Sequence, residues 1–576
     1  MPILNQNVAS TFEELADFLE IDGANPFRIR AYRNAARTIG DLGEELSVIH
    51  ERGDDLTGVE GIGKDLAGKI EEILRTGTLE ALLEIQERIP ASLGELLRLP
   101  GLGPKRVKVF FDDLEIKSLD DLEAAATAGK LRDLPGMGKK TEEKLLKSVA
   151  TRRDASKRFL RADVAPVADA LVLHLEESGF ADRLTLAGSF RRSRETVGDL
   201  DILAVSEQAE SLMDVFVAYE DVVQVLAQGK TKSSVTLRSG LQVDLRVIPE
   251  ASYGAALHYF TGSQAHNIAI RRRAQERGLK INEYGVFEDE KPVAGDTEAA
   301  VFRSVGLAEI PPELREGRGE LEAAEKEELP DLLEAKMIRG DLHAHSTASD
   351  GRDSIAEMAQ AAKALGYEYV GVTDHSKRLT IANGLDEDRL SKQIDEIDVL
   401  NSEGPGIHVF KSIEVDILED GSLDLSDGIL QRLDYVIASV HSLFNLSRDQ
   451  QTERVLRAMD NKYFSILGHP TGRLLLSREP YEIDVPRIIE QAKKRGCFLE
   501  LNANPHRLDL HDVHCRMAAA EGVLVAVNTD AHRARHFSYM PHGVGQARRG
   551  WLRKDDVLNT RSLPQLRKLL EKTMGG

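Results

Sequence analysis

Leu184 to Val205 reads LTLAGSFRRSRETVGDLDILAV, two strand-like apolar ends around a polar turn. In an extended strand, residues two apart share a face, so Asp199 and Asp201 project together while Leu200 faces the core. Downstream, Leu241-Gln242-Val243-Asp244-Leu245-Arg246-Val247 repeats the alternation, burying Val243, Leu245 and Val247 and turning Asp244 outward. If the two strands are neighbours, three carboxylates converge, and such a group repels itself unless cations bridge it. The pattern therefore predicts a sheet-borne site for Mg²⁺ or Mn²⁺, two ions roughly 3.5 to 4 Å apart that activate a hydroxyl and steady a leaving phosphate. Gly188-Ser189 opens a turn whose backbone and hydroxyl reach phosphate oxygens, and Arg192 is placed to neutralise them.

Around this segment lie 576 residues, too many for one core, so three or four units are expected. Hydrophobic residues at 41% and charged residues at 30% exclude a fibrous or disordered chain. No apolar stretch approaches the roughly 20 residues of a membrane helix, and MPILNQNVASTFEELADF lacks the order of a signal peptide. The expected location is the cytoplasm, without membrane partners. Cys497 and Cys515 are too few for a disulfide framework. The net charge of −21 argues against a polyanionic partner, but its distribution does not. Residues 130–161 carry eleven Lys/Arg against Asp133, Glu142, Glu143 and Asp154, a local footprint suited to nucleic acid. Residues 312–334 reverse the sign, nine acids against three bases, and read as a solvated linker.

Upstream, one pattern occurs three times: Gly61-Ile62-Gly63-Lys64, Gly101-Leu102-Gly103-Pro104-Lys105 and Gly136-Met137-Gly138-Lys139. Each copy lies between helical patterns. A Gly-x-Gly turn entering a helix lets backbone N–H groups approach a phosphate unobstructed, and the helix dipole favours the anion. Three such turns resemble helix-hairpin-helix motifs, which grip the DNA backbone without reading sequence. The alternative is a helical bundle whose turns need glycine for geometry alone. Asn25-Pro26-Phe27-Arg28-Ile29-Arg30 adds basic residues that either flank a DNA end or are solvated.

The carboxylate segment and the hundred residues after it resemble the family X DNA polymerases. The matching blocks are Gly188-Ser189, Gly198 with Asp199-x-Asp201, Gly229-Lys230-Thr231-Lys232, Tyr259-Phe260-Thr261-Gly262-Ser263, Asn267, Arg271 and Lys280-Ile281-Asn282-Glu283-Tyr284. The resemblance implies template-directed, two-metal nucleotidyl transfer that fills short gaps in DNA repair, base excision repair among them. Its substrates are gapped or primer-template DNA and deoxynucleoside triphosphates. It places Tyr259 and Phe260 under the incoming sugar, Asn267 near the base, Arg271 near the template, and Lys230 and Lys232 on DNA. It also aligns Lys69 with a lysine that forms a Schiff base with an abasic sugar in some relatives, a lyase chemistry requiring a partly deprotonated amine. Asp65 and Glu60 depart from the pattern there, and an ordinary solvated lysine remains the alternative.

Beyond the acidic stretch, short apolar runs alternate with helical ones, which implies a parallel α/β architecture of about seven units. The runs end in ligand types: His343 and His345, Thr373-Asp374-His375, Glu414, His441, His469, and Asp530-Ala531-His532, with Asp350 nearby. In a βα barrel such ends gather at one rim. Nine ligands suffice for two or three Mn²⁺ or Zn²⁺ ions, with Glu414 as a bridge. The set resembles the polymerase and histidinol phosphatase (PHP) domain, a distorted (β/α)₇ barrel. In bacterial polymerases of this kind it implies 3′–5′ exonuclease, 3′-phosphatase or abasic-site endonuclease activity.

The expected division is a multidomain chain. Residues 1–85 form a helical lyase-like, 5′-phosphate-binding domain with the first hairpin, and 86–160 carry the other two hairpins. Residues 161–250 form an α+β nucleotidyltransferase palm, 251–315 a nucleotide-selecting, thumb-like subdomain, 316–336 the linker, and 337–576 the PHP domain. A monomer is expected, associated with the nucleoid in a bacterium. Two rival readings stand beside it: a repair nuclease whose palm only positions DNA, and a small-molecule phosphatase of the histidinol phosphate type.

Overall fold

The computed structural model describes residues 5–575, apart from 42–45, 53–54, 60, 77, 87, 98, 100–101, 135–136, 144, 147–148 and 150–157. The chain forms two compact units, Met1–Lys157 and Arg158–Gly576.

The first unit is helical. Helix α1 (Asn5–Asp22) packs on α2 (Pro26–Asp41), with Phe12 and Tyr32 edge to face at 5.5 Å. Proline starts α2 because that position has no intrahelical partner for an N–H. Helix α3 (Lys64–Thr76) buries Leu66, Ala67, Ile70 and Ile73, the i, i+1, i+4, i+7 stripe of an amphipathic helix. Helix α4 (Pro104–Leu114) buries Val107 and Phe110. In each repeat the residue between the glycines is buried, namely Ile62, Leu102 and Met137. The turns are thereby pinned to the core while Lys64, Lys105 and Lys139 stay exposed.

The second unit opens with a mixed sheet. Its strands are β1 (Arg183–Leu186), β2 (Asp199–Val205), β3 (Val222–Gln228), β4 (Lys232–Leu237) and β5 (Gln242–Val247), in the order β1-β2-β5-β4-β3. Strands β2 and β5 are parallel neighbours, and the other pairs are antiparallel. Leu200, Ile202, Val243 and Leu245 are fully buried beneath the sheet. Each is worth roughly 1.5–3 kcal/mol of burial, so the alternation that fixes the register also fixes which side chains face outward. A three-stranded antiparallel sheet comes next: β6 (Leu279–Asn282), β7 (Gly285–Glu288) and β8 (Lys291–Ala294).

A short antiparallel pair, Phe159–Leu160 with Thr196–Val197, stands apart, and the strands from Gly340 onward pair in parallel. Strands β9 (Gly340–Ala344), β10 (Tyr369–Val372) and β11 (His408–Lys411) form one sheet. Strands β12 (Glu414–Asp416), β13 (Ile437–Ser439), β14 (Ile466–Leu467), β15 (Phe498–Asn502) and β16 (Val525–Asn528) form the other. Parallel bridges His375–Glu414 and Ala344–Ala531 join the sheets at both edges, closing a ring. Because β11 and β12 are one strand interrupted at Ser412-Ile413, the ring has seven strand positions.

The acidic stretch 312–334 differs from the solvated linker its composition predicts. Arg315 and Glu320 are wholly buried. Arg315 bonds Glu298, and Glu320 accepts from the backbone N–H of Gly317 at 2.9 Å and lies 2.8 Å from His266 Nδ1. Glu313 pairs with Arg548 at 2.8 Å and Glu316 with Arg549 at 2.8 Å. Glu313 and Glu316 thus meet bases distant in sequence, and the first half of the stretch packs as a connector, while Glu325, Glu327 and Glu328 stay exposed.

Candidate active sites

The pairing of β2 with β5 sets Asp201 opposite Asp244 and Asp199 opposite Gln242. The three carboxylates share the outward face. Gly188 has φ +61°, and a Cβ there would lie 2.7 Å from Asp201 Oδ2, so both backbone and space require glycine. Burial, then the charges of Asp199 and Asp244, push the Asp201 carboxyl up to about 7. Burial and Asp244 push Asp199 up as well. Asp244 falls despite burial, because Gln242 and Ser234 bond it and Lys232 lies 3.3 Å away. Arg246 Nη2 is also 3.4 Å from it. Three hard oxygen donors, two of them raised by the charge of a neighbouring carboxylate, fit Mg²⁺ or Mn²⁺.

Of the other residues singled out in this unit, Tyr259 and Phe260 meet edge to face at 5.0 Å. Arg271 lies over Tyr259 at 5.1 Å and Arg246 over Phe260 at 4.5 Å. Asn267 donates from Nδ2 to Tyr259 O at 2.7 Å, and its buried Oδ1 has no partner among the described residues. Ser189 follows Gly188 on a single helical turn, Gly188–Arg191. Arg192 donates from Nε to Glu316 Oε1 at 3.0 Å and from Nη1 to Thr261 O. Gly262, at φ +65°, leaves room for that guanidinium, since a Cβ would come 3.2 Å from Nη1. Gly198 lies near Arg158 Nη1. Lys232 sits at the carboxylates, whereas Lys230 is exposed and pairs with Glu210 at 2.7 Å.

In the helical unit, a Cβ at Gly63, Gly103 or Gly138 would meet nothing within 4 Å, so the protein's own packing does not demand glycine there. Gly61 has φ +79°. Gly101, Gly136 and Glu60 lie outside the described residues, as do Lys144, Lys147, Arg152, Arg153 and Lys157 of the basic stretch. Lys69 Nζ is 2.5 Å from Asp65 Oδ1. Burial acts to lower its pKa, but the Asp65 bond and the Tyr32 phenol leave it raised. This is the opposite of what a Schiff-base lysine needs. The same Asp65 that departs from the family pattern is one of the two causes.

At the barrel rim the ligand types meet in three overlapping clusters with donor atoms within 4.8 Å of one another. They are His345, Asp350, His375 and His532; His343, His345 and Asp530; and His375, Glu414 and His441. His469 is in none of the three, but its Nε2 lies 2.9 Å from Glu414 Oε1. His375 Nδ1 is 2.8 Å from Glu414 Oε2, yet neither atom is in hydrogen-bonding geometry. His343 Nε2 and His345 Nδ1 are likewise buried without a partner among the described residues. Orphaned nitrogens and oxygens aimed at common points fit borderline metals held by imidazole and carboxylate. Burial opposes charge on Asp350, but His532, His345 and His375 bring it down to about 2. Burial likewise opposes charge on His441, and Glu414 and Asp416 raise it to about 10.

The sequence reading missed the groups that hold these ligands. Glu500, wholly buried, has Oε1 at 2.7 Å from His343 Nδ1 and Oε2 accepting the His469 N–H at 2.7 Å. Asp416 lies 3.0 Å from His441 Nδ1. The signal was present: a carboxylate inside the apolar run Phe498-Leu499-Glu500-Leu501 must have buried partners.

Fold and sites together define a class: a metal-dependent nucleotidyltransferase palm joined to a histidine-rich phosphoesterase barrel, preceded by helix-hairpin-helix elements. Comparison with known proteins agrees. Family descriptions match at residues 3–79 (helix-hairpin-helix domain), 93–151 (SAM-like helix-hairpin-helix tandem), 256–316 (DNA polymerase beta thumb) and 341–504 (PHP domain). The DNA polymerase/3′-5′ exonuclease PolX of Bacillus subtilis (strain 168) is 39% identical over 571 residues, 98% of this chain and 99% of that protein. A probable phosphatase of Thermoanaerobacter sp. (strain X514) is 30% identical over 231 residues, 38% of this chain and 89% of that protein. A probable phosphatase of Caldanaerobacter subterraneus is 32% identical over 203 residues, 33% and 75% respectively. The chain belongs to the bacterial family X DNA polymerases that carry a C-terminal PHP domain. No helix of its described residues is long and apolar enough to cross a membrane.

Proposed function

We propose that this chain fills short gaps in DNA from deoxynucleoside triphosphates at Asp199, Asp201 and Asp244, and trims 3′ ends by hydrolysis at the PHP ring. The observation that carries the reading is the parallel register setting Asp201 against Asp244 beside Gly188. When bound there, Mg²⁺ or Mn²⁺ supplies the charge that activates the primer hydroxyl and stabilises the leaving pyrophosphate. The protein's own part is placement. Asp201 and Asp199 face the primer end, Ser189 and Arg192 hold the triphosphate, and the Tyr259-Phe260 pair lies under the sugar with Asn267 beside it. Arg271 meets the template strand. At the ring, the three clusters would hold two or three Mn²⁺ or Zn²⁺ ions, which would supply the Lewis acidity for hydrolysis of the phosphoester. The open space at Gly63, Gly103 and Gly138 beside exposed lysines supports sequence-independent contact with DNA phosphates. The Lys69 environment supports no lyase step. A monomer acting in the cytoplasm completes the reading.

The test pairs variants on a gapped duplex. Asp199→Ala, Asp201→Ala or Asp244→Ala should abolish incorporation and leave nuclease activity, and His343→Ala with His345→Ala the reverse. Equal damage to both activities in folded variants refutes the two-site reading, and an Asp244→Ala enzyme with full incorporation leaves a nuclease with a positioning palm. The relatives of the PHP segment named as probable phosphatases favour a second reading, a small-molecule phosphatase. It is tested by turnover of histidinol phosphate against a 3′-phosphorylated gap.

A further inference from the structure

The loop between the two halves of the palm motif, Arg192 to Glu195, is gripped by the barrel. Arg549, at the end of the helix Met540–Arg549, donates from Nη1 to the carbonyl oxygen of Arg192 at 3.0 Å. The same nitrogen donates to Glu316 Oε1 at 2.8 Å, the atom that also accepts Arg192 Nε at 3.0 Å. Its other nitrogen, Nη2, donates to Asp512 Oδ2 at 2.7 Å, and Arg318 approaches that oxygen at 3.0 Å. Glu195 is held by Arg473 and by Gln546 Nε2 at 2.5 Å. All of these side chains are largely withdrawn from solvent: Arg549 is 3% exposed, Asp512 1%, Glu316 10% and Arg192 13%.

We propose that Arg549, a barrel residue outside the metal ring, is a positioning residue for nucleotide binding by the palm, acting through Glu316 on Arg192. The reasoning is geometric. A guanidinium that meets a triphosphate must keep its plane and its place. Arg192 takes its plane from two bonds, Nε to Glu316 and Nη1 to Thr261 O, and its backbone from a third, made by Arg549. Glu316 in turn stays put because Arg549 shares its Oε1 and Arg194 lies 3.6 Å from Oε2. Neither of the two side-chain bonds of Arg192 engages its Nη2, so the guanidinium can meet phosphate through that nitrogen while keeping its plane. Asp512 fixes Arg549 from behind. A palm residue expected to bind nucleotide is thus braced by a side chain more than 350 positions away in the sequence.

The proposal rests on the reading of Arg192 as a triphosphate ligand, and the test separates the two. The full chain is assayed on a one-nucleotide gap with dNTP varied. Arg549→Met should raise the dNTP KM about tenfold, with kcat within roughly threefold, the pattern of lost binding rather than lost chemistry. Arg549→Lys should recover part of the loss. In an Arg192→Ala background Arg549→Met should add nothing further, whereas a general loosening of the fold would add its own penalty. Hydrolysis of bis(p-nitrophenyl) phosphate by the barrel should be unchanged. Should Arg549→Met fail to fold in a thermal melt, Glu316→Gln carries the test, keeping an acceptor for Arg192 while removing the charge Arg549 pairs with; its KM should rise as well. An unchanged KM in the folded variants, or independent effects of Arg192→Ala and Arg549→Met, overturns the proposal alone. An Arg192→Ala enzyme with normal KM removes the triphosphate reading and the proposal with it.

Discussion

Glu500→Gln isolates what holds the histidine ring in shape. All four contacts of this buried carboxylate are donors or donor-capable: His343 Nδ1 at 2.7 Å and Asn528 Nδ2 at 3.0 Å on Oε1, the His469 N–H at 2.7 Å and Asn502 Nδ2 at 3.3 Å on Oε2. Glutamine has the same shape but replaces one oxygen with an NH₂, which in either flip faces donors. The His469 N–H belongs to the backbone and cannot turn away, and His343 keeps Nε2 toward Glu414 only while Nδ1 has its acceptor. One buried donor left unmet costs about 1–3 kcal/mol, and lost support behind a metal ligand typically costs about 10–100-fold in affinity or activity. We expect nuclease turnover to fall roughly 10–100-fold at limiting Mn²⁺ and to recover partly at high Mn²⁺. Incorporation on a gapped duplex should be untouched. The assay is a Mn²⁺ titration of 3′ trimming with metal content measured on the purified variant. Turnover within about twofold of the parent at limiting metal would refute the idea that Glu500 fixes the ring.

Gly188→Ala forces a Cβ into contact with Asp201 and an alanine into positive φ, so incorporation should drop by more than about tenfold while nuclease activity stays, read on the same gapped substrate. Burial opposes ionisation of Asp512, but its bonds to His511 and the charges of Arg549 and Arg318 hold the carboxyl far below its usual range. A depressed pKa stabilises above the unfolded value of about 3.9 and is lost as pH falls below it. The parent should therefore melt higher than Asp512→Asn at pH 7, with the gap beginning to narrow only below about pH 5 and shrinking further as pH falls toward the carboxyl's own lowered pKa; a pH-independent gap would contradict it. Chelation should abolish trimming and lower the melting temperature, because ligands that bind only the folded state stabilise it by about 2.7 kcal/mol at a hundred times Kd. Mn²⁺ or Zn²⁺ should restore both, and restoration by Mg²⁺ alone would argue against imidazole ligation.

Much of the palm and ring could be read in advance because strands advertise their faces. The period of two at Asp199, Asp201 and Asp244 foretells a shared surface, and the parallel register then makes Asp201 and Asp244 direct neighbours. Ligand types at the ends of apolar runs foretell the ring, because a barrel brings such ends to one rim. What stayed hidden depends on pairing across hundreds of residues. Glu313, Glu316 and Glu320 look like solvated charge in one dimension, and only the fold supplies Arg548, Arg549 and His266. Lys69 carried a family expectation, but Asp65, four positions earlier, and Tyr32 outweigh burial and hold its pKa raised.

The same contrast explains why the two chemistries are not simply strung on one chain. Glu195 lies between Ser189 and Asp199, and its partner Arg473 lies four residues after His469, whose backbone N–H is held by Glu500. Each site therefore has a loop anchored in the other half of the unit through a nearly dry ion pair. Removing one partner of such a pair leaves an uncompensated charge and is strongly destabilising, so the halves are held in one register rather than loosely tethered. A palm cut free of the barrel would leave Glu195 without Arg473 and Glu316 without Arg549. An isolated palm should therefore bind nucleotide less well than the full chain even though every residue facing the nucleotide is retained.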